Sequence, residues 1–208
     1  DLVALMTPII KSFFTDAGFE VTNLGMQVYG GHGYIRENGM EQLVRDARIA
    51  QIYEGANGIQ ALDLVGRKLG QNMGRLLRRF FHPTLAYVEA GMAKPELAEF
   101  VAPLAKSLSR LQQATLWIGQ QGLKDPEEAG AAATDYLNLF AYTALAYLWA
   151  RMAEVSMDKL TDDPTGFHEA KVATARFFFQ RLLPKSSGHF SAIMAGKAPL
   201  MAMKEAAF

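Results

Sequence analysis

Apolar residues recur along this chain at helical spacing. Thr7-Pro8 reads as a hydroxyl cap followed by proline at a first helical position. Ile9, Phe13, Val21, Leu24 and Val28 then predict one helix running to Tyr29. Gly18 is tolerated there at some cost, or lets a neighbour approach. Gly30-Gly31 end the helix, because glycine readily takes the left-handed cap conformation. Asn38-Gly39 makes a turn, and Asn38 with Glu41 reads as a capping box. The helix it opens has Met40, Leu43, Val44 and Ile49 on its apolar side. A third carries Ile59, Leu62, Val65 and Leu69 along one side, with Asn57 as its cap, and finishes near Leu69-Gly70.

The remainder reads as helices separated by proline-marked breaks. Arg75 to Gly91 is apolar and basic by turns. Pro95 opens a helix with Leu97, Phe100, Val101, Leu104, Leu108, Leu111 and Ile118 along one stripe. Asp125-Pro126-Glu127-Glu128 is a strong helix start, combining an aspartate cap, proline at N1 and acids facing the helix dipole. That helix runs to about Leu160 through Tyr136, Leu139, Phe140, Tyr147, Leu148 and Met152. Asp163-Pro164 repeats the device, and Phe167, Val172, Phe178, Phe179 and Leu182 form the last main stripe. Pro184 bends or ends it, and Ser187 restarts a helix through Ile193. The expected fold is all-α: a helical segment over residues 1–70, then a second, antiparallel helical bundle over 71–208. The methionine and aromatic stripes are assigned to core packing.

Composition narrows the classes. A chain of 208 residues has room for one or two domains with ample core. Lys+Arg and Asp+Glu both number 21, so no broad attraction to nucleic acid or an anionic membrane is expected. Arg78-Arg79 is too short a basic run to suggest nucleic acid. The absence of cysteine excludes disulfides and thiolate metal sites and leaves the compartment open. No secretory signal is visible, and the opening on Asp1 rather than Met suggests a piece of a longer protein. The uncharged run Tyr136 to Ala150 falls short of the ~20 residues of a membrane span and reads as a buried bundle helix. His32 has no second ligand at i+4, and His168 and His189 lack acidic companions at metal-site spacing, so no metal ligands are assigned.

The candidate chemistry lies between Gln27 and Gln60. Glu54 stands between apolar Ile52-Tyr53 and flexible Gly55. An acid so placed loses hydration, and a desolvated carboxylate is a stronger base. Gly55 lets a substrate lie close to the backbone. An exposed loop glutamate fits these local features equally well. Gly30-Gly31-His32-Gly33 follows a helix and no strand, so it is neither a Rossmann nor a Walker loop, and a plain helix terminator accounts for it. Arg45, Asp46 and Arg48 fit a solvated charged face.

Taken in order, Gln27, Gly30, Gly31, Gly33 and Tyr34 form Q-x-x-G-G-x-G-Y, Arg45 to Ile49 form R-D-x-R-I, and Ile52 to Gly55 form I-Y-E-G. This conjunction resembles the C-terminal signature of the acyl-CoA dehydrogenases. The resemblance implies that the first segment is the C-terminal helical part of that fold. It puts the catalytic base on Glu54, substrate contacts on Tyr53 and Gly55, and FAD contacts on Gln27, Val28, Tyr29, Gly30 and Gly31, the flavin being held mainly by a partner subunit. Ala56, Asn57 and Gly58 are further FAD candidates. Many members continue T-S-x-I-Q after the Y-E-G turn, whereas here Ala56 lacks the hydroxyl, which removes one hydrogen bond to the cofactor. The charges of R-D-x-R-I are read as scaffold pairing.

The implied reaction is α,β-dehydrogenation of an acyl-CoA thioester, with Glu54 taking the α-proton while the β-hydrogen leaves as hydride to the flavin. An electron-transfer flavoprotein is the implied electron acceptor. A homodimer or higher homo-oligomer is implied, cytoplasmic in a bacterium or in the mitochondrial matrix of a eukaryote. Most of the acyl-CoA and flavin sites in this family belong to an N-terminal helical domain and a middle β domain, so the isolated chain is expected to be inactive and to bind FAD weakly or not at all. The extension resembles the subgroup that includes very-long-chain and 3-methylmercaptopropionyl-CoA dehydrogenases, and IYEGANGIQALDLVGRKL leans toward the latter. The alternatives are a helical assembly module, an acyl-CoA oxidase, and the DNA-binding adaptive-response flavoprotein relative, which balanced charge without a basic stripe disfavours.

Overall fold

Helix α6 (Pro126–Met157) is the centre of the molecule because its apolar residues are not confined to one stripe. Tyr136, Leu137, Leu139, Phe140, Ala144, Ala146, Ala150 and Ala153 are all buried, as expected of a helix surrounded by others. The computed structural model describes residues 1–203, so residues 204–208 of the expected second segment lie outside the described residues. Among the described residues no strand occurs. Around α6 stand α1 (Leu2–Val28), α3 (Asn57–Asp63), α5 (Ala98–Lys124), α7 (Phe167–Phe177) and α8 (Lys185–Ala195). Helix α2 (Met40–Ala50) packs on α1, and α4 (Arg75–Gly91) bridges α1 and α5.

Residues on both sides of Gly70 enter one hydrophobic core. Leu5, Ile9, Ala61 and Leu64 join Phe80, Phe100, Leu104, Leu108, Phe140 and Phe179 in a single cluster. Aromatic pairs fix the facing elements, with Phe80 4.7 Å from Phe140 and Phe100 5.3 Å from Phe179 between ring centroids. Among the described residues the Tyr87 hydroxyl is buried without a hydrogen-bond partner, while other polar groups inside are paired. Ser107 and Thr143 hydrogen bond across α5 and α6 at 2.8 Å, and the Tyr136 hydroxyl meets Thr115 at 2.7 Å. Burial pushes the Tyr136 phenol well above its ordinary value, so it stays neutral.

Local signals predicted the long helices well. Asp125 caps α6 by accepting the Glu127 N–H at 3.0 Å, with Pro126 at N1. The α5 stripe from Phe100 to Ile118 is buried as its spacing requires. Tyr136 to Ala150 is a mostly buried segment of the bundle. Among the described residues the one helix long and apolar enough to cross a membrane is α1. Lys11 and Asp16 lie near its middle and make polar contacts there, which suits a bundle helix rather than one in lipid.

Several boundaries differ from expectation. Helix α1 begins at Leu2, so Pro8 lies inside it and Thr7 is not a cap; the Thr7 hydroxyl donates to the Val3 carbonyl at 2.7 Å. Burial of Leu5 and Ile9 on either side outweighs the cost of an internal proline. Asn38 does not cap α2, whose N-cap is Gly39 in a left-handed conformation. On α3 Ala61 is buried, as is Leu64 just past its end, while Ile59 and Leu62 are exposed. The long helix α6 stops at Met157 rather than near Leu160, and α8 starts at Lys185, two residues before Ser187.

Asp163 also departs from the repeat of the capping device. Helix α7 starts at Phe167 after left-handed Gly166, and Asp163 ties its first turn from outside, accepting from the Thr165 N–H and hydroxyl and from the His168 N–H at 2.5 Å. Desolvation opposes ionisation of this carboxyl, but those hydrogen bonds outweigh it and hold the group at about 2 against an ordinary 3.8. A depressed acid contributes stability that is full above its unfolded value and is lost as pH falls through its folded value. Asp163→Asn is therefore expected to lower the Tm at neutral pH, with the gap to the parent closing between about pH 4 and pH 2. A gap that is constant with pH in thermal melts would refute this.

Candidate active site

Chain geometry between α2 and α3 is set by two consecutive left-handed residues, Glu54 with φ 54° and Gly55 with φ 81°. For glycine this costs little, but a glutamate there is strained and must be held by its surroundings. The hold comes from α1. Lys11 Nζ donates to the Gly55 carbonyl and to Asn57 Oδ1, both at 2.8 Å. The Asn57 amide donates to Asp16 Oδ1 at 2.7 Å, to the Thr15 hydroxyl at 3.0 Å and to the Ser12 carbonyl at 3.2 Å. Gln51 donates to the same Asp16 oxygen at 2.6 Å, and Gln60 Nε2 closes the turn on the Glu54 carbonyl at 3.1 Å.

Asn57 is thus not the cap of α3. Ala56 holds that position without a side-chain bond, and Asn57 is the first helical residue, its amide committed to α1. Sequence reasoning missed Lys11, Ser12, Thr15 and Asp16. Their signal was a polar strip at i, i+1, i+4 and i+5 amid the apolar first half of α1, a spacing that puts four polar side chains on one part-buried face.

Glu54 itself is exposed, contrary to the expected dry position, and its carboxylate accepts no hydrogen bond among the described residues. The flanking apolar side chains that were to desolvate it are exposed too, Ile52 and Tyr53 each at 51 %. Tyr53, Gly55 and Ala56 lie in the same exposed turn, and Gly58 is exposed in the first turn of α3.

The glycine turn lies elsewhere. Residues Gly30–Tyr34 form a 3-10 turn at the far end of α1, entered through Gly30 with φ 59°. Asn38 fastens it by donating to the His32 carbonyl at 2.6 Å. Some 17 residues of α1 separate Lys11, which touches the acid turn, from Val28, so the two turns stand about 25 Å apart along the helix. Gln27 to Gly31 and Glu54 are not brought into one cavity of this chain. Open space surrounds the positions a side chain would take at Gly30, Gly31 and Gly58, whereas at Gly33 a Cβ would meet the Met26 carbonyl oxygen at 2.3 Å. Gly33→Ala is expected to cost about 1–3 kcal/mol, as overpacking does, and Gly31→Ala far less. Equal midpoints of denaturant unfolding for the two variants would contradict this.

Residues 4–69 match the family model described as acyl-CoA dehydrogenase, C-terminal domain, and residues 82–204 match acetyl-CoA dehydrogenase C-terminal like. The chain belongs to the acyl-CoA dehydrogenase family. It is 37 % identical to a 3-methylmercaptopropionyl-CoA dehydrogenase from Ruegeria pomeroyi, over 92 % of this chain and 33 % of the relative. A broad-specificity linear acyl-CoA dehydrogenase from Mycobacterium tuberculosis is 29 % identical over 98 % of this chain and 35 % of the relative. Cyclohexane-1-carbonyl-CoA dehydrogenase from Geobacter metallireducens is 46 % identical, over 25 % of this chain. This acyl-CoA dehydrogenase chain spans about a third of the length of the first two relatives.

Proposed function

We propose that this chain is the base-bearing C-terminal part of a flavin-dependent acyl-CoA dehydrogenase, in which Glu54 removes the proton α to the thioester carbonyl. The observation that carries the reading is the strained Glu54–Gly55 turn locked to α1 through Lys11 and Asn57. Strain at a non-glycine residue persists where surrounding contacts over-determine it, and functional sites are where such residues collect. Here the contacts bind the two peptide carbonyls of the turn and leave the carboxylate free.

The α-proton of a thioester is weakly acidic, so the base must be positioned and partly desolvated when it acts. In this chain Ile52, Tyr53 and Ile59 form an exposed apolar rim beside Glu54. Covering that rim with substrate and with the rest of the polypeptide dries the carboxylate. Tyr53 and Gly55 are the chain's contributions to the acyl-CoA contact.

The residues assigned to FAD fit a partial contact. Gly30, Gly31 and Gly58 leave room for close approach, and Val28 and Tyr29 present exposed apolar surface beside the glycine turn, Val28 at 85 %. Gln27 to Gly31 would hold one edge of the cofactor, with Ala56 to Gly58 at the other turn. The 25 Å between the turns suits two different FAD molecules in a homo-oligomer. When bound, FAD supplies the two-electron acceptor for the β-hydrogen. In the same reading electrons pass on to an electron-transfer flavoprotein, and the protein works in the bacterial cytoplasm or the mitochondrial matrix. The isolated chain neither turns over nor retains FAD.

The test is Glu54→Gln in the complete polypeptide, followed by flavin bleaching on addition of an acyl-CoA. Bleaching lost with FAD retained supports the assignment, and bleaching at the parent rate overturns it.

A further inference from the structure

We infer that the face of α4 bearing Arg75, Arg78, Arg79 and His82 binds the phosphate groups of the coenzyme A half of the substrate, an inference that rests on the acyl-CoA reading of Glu54. The spacing i, i+3, i+4, i+7 puts the four side chains on one side of the helix. With Pro83 they line an open groove of ≈ 420 Å³.

The groove is short of negative charge. Among the described residues Asp1 alone pairs with it through a carboxylate, which accepts from Arg75 Nη2 at 3.1 Å and lies 2.8 Å from Arg75 Nε and 3.9 Å from Arg79 Nε. Arg78 has no acidic partner among the described residues and donates only to the Met73 carbonyl, at 2.8 Å. Among the described residues three guanidiniums therefore face one carboxylate, in a chain whose formal net charge is +0. Like charges at such spacing repel, so the cluster is destabilising until a further anion joins it. A guanidinium carries several N–H donors in a planar fork that matches phosphate, and most of those donors are uncommitted here.

Position along α1 agrees with this ligand. Asp1 meets the arginines at one end of α1, and Lys11, ten residues on, holds the Gly55 carbonyl beside Glu54. Ten helical residues rise about 15 Å. In a coenzyme A thioester the whole pantetheine arm separates the reacting carbon from the diphosphate, so a phosphate site belongs well away from the base and within the arm's reach.

The experiment compares an acyl-CoA with the matching acyl-pantetheine thioester, which lacks phosphate, on the complete polypeptide carrying Arg78→Ala. Arg78 is chosen because its loss strands no acid. The KM for acyl-CoA should rise about tenfold, the weight of a charged hydrogen bond, with kcat and the KM for acyl-pantetheine unchanged. Arg78→Lys should recover part of the loss. An equal rise with both thioesters, or no rise with either, overturns the site. Calorimetric titration with coenzyme A alone separates this from the base assignment. Binding should weaken in Arg78→Ala and stay at the parent strength in Glu54→Gln. Parent-strength binding in Arg78→Ala refutes the phosphate site whatever Glu54 does, and normal flavin bleaching in Glu54→Gln refutes the base whatever Arg78 does.

Discussion

Glu54→Gln in the complete polypeptide is expected to slow substrate-dependent flavin reduction by about a thousandfold, within the range a positioned general base contributes. Glutamine keeps the size of the side chain and cannot accept the proton. It also keeps the backbone cost, because any non-glycine residue at φ 54° carries similar strain, so the variant should melt at the parent temperature. Glu54→Gly separates the two effects. It should be as inactive as glutamine, yet melt higher, because glycine takes the left-handed conformation freely. If Glu54 were an ordinary loop residue, the glycine variant would gain stability and lose no turnover. The strained residue would then have no chemical consequence, and the dehydrogenase reading of this turn would fail.

Asp125 and Asn57 show what sequence can carry and where it stops. The cap of α6 is legible because donor, acceptor and proline all lie within three residues, and nothing distant competes for them. The buried stripe of α5 is legible for a related reason, since spacing alone decides which side chains share a face. Asn57 looks like an equally good cap, but its partners come from more than forty positions away on α1. No local pattern announces such a partner, and a charged hydrogen bond across elements outweighs the cap. Asn38 is drawn instead to a nearer partner, its amide donating to the His32 carbonyl six residues back. Local chemistry favours Pro8 as a helix start, while burial of Leu5 and Ile9 extends the helix through it. Exposure of Glu54 has a different origin. Its apolar neighbours signal burial correctly only if another surface covers them, and a chain spanning about a third of its relatives need not contain that surface. Motif order follows the backbone path that presents Glu54, whereas the environment of the acid depends on what docks there.

Asn57→Ala should have the largest structural effect near the site, a loss of about 2 kcal/mol read as a Tm lower by roughly 4–8 °C. The amide is the common partner of Lys11, Thr15 and Asp16, so its removal leaves the part-buried Asp16 dependent on Gln51 and halves the contacts that hold Lys11 against the turn. With that tether weakened, Glu54 and Gly55 can relax from their left-handed conformations, and kcat for flavin reduction should fall more than KM rises, since small misplacement of a reacting group is costly. Asn57→Asp distinguishes tethering from bulk. It retains an acceptor for Lys11 but sets a second carboxylate against Asp16, where the parent amide donates at 2.7 Å, so stability should fall at neutral pH and recover in part as pH is lowered toward protonation of the pair. An Asn57→Ala protein with parent Tm and parent kcat would mean that α1 does not hold the turn, and the strained geometry of Glu54 would then need another cause.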